Sequence, residues 1–166
     1  MFVLGIDPGV SRCGYGLVSR GRGGTTAHVA GVLTTPPSQP LPARLASLQA
    51  DLRALLAETE PEVVVVERVF FQTNVRTAMS VGQASGLALA AAAEAGCDVA
   101  QYTANEVKQA VAGYGAAGKA QVQRMVQALL SLPEPPRPPD AADALALALC
   151  HLTVAPRLAR VAEALQ

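Results

Sequence analysis

Four carboxylates stand where a carboxylate is costly. Asp7 closes the apolar run "FVLGI" and Glu67 closes the run "VVVV". Asp140 and Asp143 sit three apart at the head of "DAADALALALC", which is otherwise apolar. A carboxylate beside a buried surface must be paired, hydrogen-bonded or bound to a metal. Each has an ordinary reading. Asp7 before Pro8-Gly9 suits a turn, and Glu67 suits the first exposed residue past a strand. Asp140 and Asp143 suit the N-cap and N3 positions of a helix. Taken together they point to chemistry, because several carboxylates converging on one place cannot all ionise without a countercharge. A hard divalent cation supplies it, and oxygen-only ligands select Mg²⁺ or Mn²⁺ over zinc or copper. Two such ions roughly 3.5–4 Å apart would polarise a phosphate and generate hydroxide from water.

Convergence depends on the elements that carry these residues. Residues 2–6 read as a buried strand ending at Asp7. "CGYGLVSR" (13–20) reads as a second strand, "GRGG" (21–24) as a hairpin turn and "TAHVAGVL" (26–33) as its partner. After a loop over 34–40, Leu45, Leu48, Leu52, Leu55 and Leu56 recur at helical spacing, predicting an amphipathic helix over 42–58. Residues 63–66 form a fully buried strand ending at Glu67. A long helix follows over 75–95, with Gly82 and Gly86 letting another backbone approach. A short strand covers 97–102. Thr103 with Glu106 three residues on is a capping box for a helix to 113. Gly113, Gly115 and Gly118 break the chain before a helix over 119–131. "PEPPRPP" (133–139) is a stiff loop, and the last main helix begins at Asp140. Hairpin strands followed by crossover helices and strands predict an α/β mixed sheet with helices on its faces. If the first and fourth strands lie side by side and parallel, Asp7 and Glu67 reach the same rim, where such sheets place ligands. A helix N-terminus beside that rim would bring Asp140 and Asp143 close.

Bulk properties narrow the class. At 166 residues, one domain is expected, here residues 1–155 with a C-terminal tail over 156–166. Hydrophobic residues are 51% and charged residues 16%, which excludes a disordered chain. Net charge is zero, an apparent objection to nucleic-acid binding. Setting the four acids aside, however, leaves nine acids against thirteen bases, and bound cations would offset what was removed. Cys13, Cys97 and Cys150 form no CxxC and the histidines are His28 and His151, so neither a disulfide framework nor a zinc site is suggested. A reducing cytoplasm fits. No signal peptide precedes the fold, and the apolar stretches are too short to span a bilayer.

"GIDPG" (5–9) with "GYG" (14–16), "VVVVERVFF" (63–71), "EVKQAVAGYGAAGKAQVQRMV" (106–126) and "DAADALALALCH" (140–151) together resemble the RuvC Holliday-junction resolvases. The resemblance covers about residues 1–155. It implies an RNase H-like fold and a homodimer that nicks four-way DNA junctions symmetrically, leaving 5′-phosphate and 3′-hydroxyl ends. It further implies that Asp7, Glu67, Asp140 and Asp143 are the acidic tetrad holding two Mg²⁺ or Mn²⁺ ions per subunit. DNA contacts are implied at Phe70, Lys108 and Lys119. Phe70 would stack or wedge at the opened junction centre, worth about 1–3 kcal/mol per base, while one of Phe70 and Phe71 packs in the core. Lys119 could also stabilise transition-state charge, and Arg76 and Arg124 are further basic candidates. The small-residue helix 75–95 is the candidate dimer interface. Branch-migration proteins of the same resolution system are implied partners.

Three other readings compete. An actin-like nucleotide-binding protein opens with the same strand and Gly turn, but clasping ATP takes two such domains. A non-catalytic junction-binding module would carry a broken tetrad. A nuclease of the same fold could cut RNA–DNA hybrids; Phe70, Lys108 and Lys119 favour the junction enzyme.

Overall fold

The computed structural model describes residues 1–68 and 75–164. Its elements are β1 (Phe2–Asp7), β2 (Arg12–Gly21), β3 (Gly24–Thr34), α1 (Leu41–Thr59), β4 (Val63–Glu67), α2 (Val75–Glu94), β5 (Asp98–Tyr102), α3 (Ala104–Ala112), α4 (Lys119–Leu129) and α5 (Pro139–Ala164). The strands form a single sheet in the order β3-β2-β1-β4-β5. β1, β2 and β3 run antiparallel as a meander, whereas β4 pairs parallel with β1 and β5 parallel with β4. This is the mixed sheet that hairpin strands followed by crossover helices predict.

The central strands are apolar throughout because both of their faces are covered. Leu4, Ile6, Val64 and Val66 pack in one core with Leu48, Leu52, Ala84 and Ala88 of α1 and α2. Val3 and Val65 pack in the other with Val107 of α3, Val122 and Val126 of α4, and Leu145, Leu149 and Leu152 of α5. Val64, Val65 and Val66 are fully buried, each contributing about 1.5–3 kcal/mol. Strand side chains alternate faces. Gly5 and Asp7 therefore share the face of Val3, and Glu67 shares that of Val65, so both acids stand on the α5 side of the sheet.

α5 lies directly on that side. It is apolar nearly all round from Ala141 to Leu152, and those residues are buried with the exception of Asp143 and His151, as expected of a helix inside a core. Close docking depends on missing side chains. A Cβ on Gly5 would collide with the Ala144 carbonyl, and one on Gly14 with the Asp140 carbonyl. Gly5 of "GIDPG" and Gly14 of "GYG" thus form the floor on which α5 rests.

Two terminal features of α5 differ from the sequence-based expectation. The Ala141 and Ala142 amides donate to the Pro138 carbonyl at 3.0 and 3.4 Å, so Pro139 is the first helical residue, a position that suits proline. Asp140 is inside the first turn and is not the cap. At the other end, the residues from Pro156 onward, expected only as a C-terminal tail, continue the helix to Ala164. A proline there removes the N–H that would bond the Leu152 carbonyl. The Arg20 guanidinium of β2 donates to that same carbonyl, which supplies the missing partner. Elsewhere the local rules hold. Thr103 Oγ1 accepts from the Glu106 amide at 3.2 Å and the Thr103 amide donates to Glu106 Oε2 at 2.7 Å, completing the capping box of α3.

On α2, a Cβ at Gly82 or Gly86 would meet nothing within 4 Å. Gly82 and Gly86 therefore face outward, and among the described residues no other backbone approaches them. All three cysteines are free thiols. Among the described residues no helix is long and apolar enough to cross a membrane.

Candidate active site

Register brings the acids together. β1 and β4 pair Gly5 with Val65 and Ile6 with Val66, so Asp7 and Glu67 are the next residues on adjacent parallel strands. Their C-terminal ends form one rim. α5 crosses the same face, and its first two turns bring Asp140 and Asp143 to it.

A cavity of about 240 Å³ opens there, lined by Asp7, Glu67, Lys108, Lys119 and Asp143 on its polar side. Its apolar wall is Ala104 and Val107 of α3, Val122 of α4, and Ala146 and Leu147 of α5. Lys108 reaches it from α3. Lys119 opens α4 after the glycine-rich turn, and its Nζ lies 3.4 Å from Asp143 Oδ2. Asp140 stands outside the lining. Its Oδ2 accepts from both Nε and Nη2 of Arg12, at 3.1 and 2.8 Å.

The electrostatics follow from this placement. Burial pushes the Asp7 carboxyl up to about 7, helped by repulsion from Asp143, Glu67 and Asp140. Glu67 is raised for the same reasons, burial first and then Asp143. Asp140 is lowered, because Arg12 donates to it. Lys119 is raised by the Asp143 charge. In the protein alone, burial and the neighbouring carboxylates therefore disfavour the charged forms of both strand acids. This is the condition that a divalent cation relieves.

The donor set fits such a cation, being carboxylate oxygen only. Among the described residues no three acidic, histidine or cysteine side chains are already arranged as a closed metal cage. The acids converge on an open cleft, an arrangement that suits ions held jointly with a phosphate substrate.

The sequence reading missed two basic residues. Arg12 is two positions before Gly14 on β2, so strand alternation turns it towards α5 and Asp140. Arg44 of α1 donates through Nε to Thr35 Oγ1 at 3.0 Å and through Nη2 to Ser11 Oγ at 2.5 Å. Thr35 Oγ1 in turn donates to the Val10 carbonyl at 2.6 Å. Arg44 thereby pins the loop that joins Asp7 to Arg12. "SR" after "DPG" was the available signal, although no spacing rule says what an arginine there would meet. Of the other expected residues, Arg124 is exposed on α4 and does not line the cavity. Phe70 and Phe71 lie outside the described residues, as does the side chain of Arg76.

Residues 3–151 match the family model of the crossover junction endodeoxyribonuclease RuvC. The chain belongs to the RuvC family. The RuvC of Moorella thermoacetica is 54% identical over 156 residues, covering 94% of this chain and 93% of that protein. The Thermus thermophilus RuvC structure superposes with a TM-score of 0.87 at 41% identity, covering 95% of this chain and 96% of that one. A second T. thermophilus RuvC structure, in complex with a Holliday junction substrate, gives 0.87 at 42% identity, over 93% and 94% of the two chains. The fold is therefore the RNase H-like one of RuvC.

Proposed function

We propose that this chain is a structure-selective endodeoxyribonuclease that resolves four-way DNA junctions by metal-dependent phosphodiester hydrolysis. The observation that carries this is the convergence of Asp7, Glu67 and Asp143 with Lys108 and Lys119 around one cleft, in a member of the RuvC family. Asp7, Glu67, Asp140 and Asp143 are the residues that would hold Mg²⁺ or Mn²⁺, two ions per subunit. Bound there, such ions polarise a phosphate and make water a competent nucleophile near neutral pH. The chain's own residues supply the rest. Asp7 and Glu67 are placed by rigid strand ends, and Asp143 by a helix locked into the core. Lys119 and Lys108 stand at the cleft to meet phosphate charge. The apolar wall restricts water on the far side, which strengthens every electrostatic contact within.

A four-way junction has two-fold symmetry, matched by a homodimer with an isologous interface. Two sites would then nick two strands, leaving 5′-phosphate and 3′-hydroxyl ends. The outward-facing Gly82 and Gly86 of α2, with Met79 58% exposed beside them, support α2 as part of that interface. Phe70 is assigned to the junction centre, and Arg76 and Arg124 to outlying backbone contacts. The nuclease unit is assigned to residues 1–155, with 156–166 as a C-terminal extension. Branch-migration proteins and a cytoplasmic setting complete the proposal. It is tested with a synthetic four-way junction, a linear duplex and an RNA–DNA hybrid, each with and without Mg²⁺ or Mn²⁺. Paired nicks confined to the junction and dependent on metal are expected; cleavage of the hybrid alone would overturn it.

A further inference from the structure

Asp140 is the one member of the acidic set that is gripped from two sides by the same strand. At its backbone, Gly14 of β2 leaves no room for even a methyl group against the Asp140 carbonyl. At its head, Arg12 of β2 donates twice to Oδ2. Arg12 and Gly14 are two apart on one strand and so share a face. The loop before Arg12 is itself tied down by Arg44 through Ser11 and Thr35.

The mode of the arginine contact matters. A guanidinium that simply neutralised a carboxylate would engage both oxygens side by side in a fork. Here both N–H groups converge on Oδ2. Among the described residues Oδ1 accepts from no other side chain. A carboxylate fixed through one oxygen by a neighbouring side chain, with the other oxygen taken by no second side chain, is how metal-binding carboxylates are oriented by the groups behind them. We propose that Arg12 is a positioning residue of the metal site, holding Asp140 by Oδ2 so that Oδ1 is presented to a divalent cation. It acts through Asp140 and not on DNA or the reacting phosphate. This inference rests on the reading of the acids as metal ligands.

The test is Mn²⁺ binding by the DNA-free protein, followed by the electron paramagnetic resonance signal of free Mn²⁺. Arg12→Ala is expected to weaken binding by about 10–100-fold, the usual effect of losing such a supporting group, with the metal-free thermal midpoint unchanged. Arg12→Met, which keeps the apolar stem and loses both donors, is read the same way if the alanine variant does not fold. Binding as tight as wild type, or tighter, overturns the inference; tighter binding would mean that Arg12 competes with the cation. Asp7→Asn is run alongside. If wild type binds Mn²⁺ and Asp7→Asn does not, while Arg12→Ala binds normally, only the role of Arg12 fails. If wild type itself binds no Mn²⁺, the metal-site reading fails and the inference with it.

Discussion

Asp7→Asn separates the cost of the site from its use. The substitution keeps shape and removes charge. In the metal-free protein the Asp7 carboxyl stands at about 7 against an ordinary 3.8. That displacement corresponds to roughly 4 kcal/mol, at about 1.4 kcal/mol per pH unit. The sign follows from proton binding: between these values the folded state holds a proton that the unfolded state releases, so rising pH destabilises the fold. The penalty is absent below about pH 4, grows to about pH 7 and is constant above. Asn avoids it, so in EDTA at pH 8 the variant should melt higher than wild type. Even half the effect raises the midpoint of a chain this size by about 4–8 °C. At pH 4 the two proteins should melt together. Mn²⁺ should stabilise wild type and not the variant, and junction cleavage by the variant should be lost while junction binding persists. Equal midpoints at pH 8, or the same difference at both pH values, would refute the repulsion argument. Cleavage surviving with Mg²⁺ or Mn²⁺ would refute the assignment of Asp7.

Lys119→Ala should change stability by less than about 1 kcal/mol, since its side chain is 77% exposed, while cleavage falls about tenfold or more; unchanged turnover at raised salt would reduce it to a surface charge. Gly14→Ala should cost about 1–3 kcal/mol by overpacking and depress cleavage further by lifting Asp140, seen as a lower melting point with weaker Mn²⁺ binding. Arg20→Ala should cost about 1–2 kcal/mol by stranding the Leu152 carbonyl. In a Pro156→Ala background the loss should shrink, because the alanine amide reaches that carbonyl, and a double-mutant cycle by chemical denaturation measures the difference.

Much of the fold was legible because its signals are local. Alternation, leucine spacing, the Thr103–Glu106 cap and the glycine breaks each depend on residues near in sequence, and all appear where they were expected. The course of the chain past Pro156 was not legible. Proline's penalty there is offset by Arg20, more than a hundred positions away, and no local rule contains that donor. The cap reading of Asp140 failed for a related reason: Pro138 and Pro139 open the helix, freeing Asp140 to meet Arg12.

By itself the sequence determined that four carboxylates at the edges of apolar runs needed a countercharge. It also determined that two of them end strands able to lie side by side, since residue type and period 2 alternation suffice for both. Only the tertiary structure decided which cation meets which acid, pairing Arg12 with Asp140 and Lys119 with Asp143. It also decided that Gly5 and Gly14 are the floor for α5. A missing side chain or a lone arginine has meaning only relative to what lies opposite, and what lies opposite is set by the crossing of segments distant in the chain.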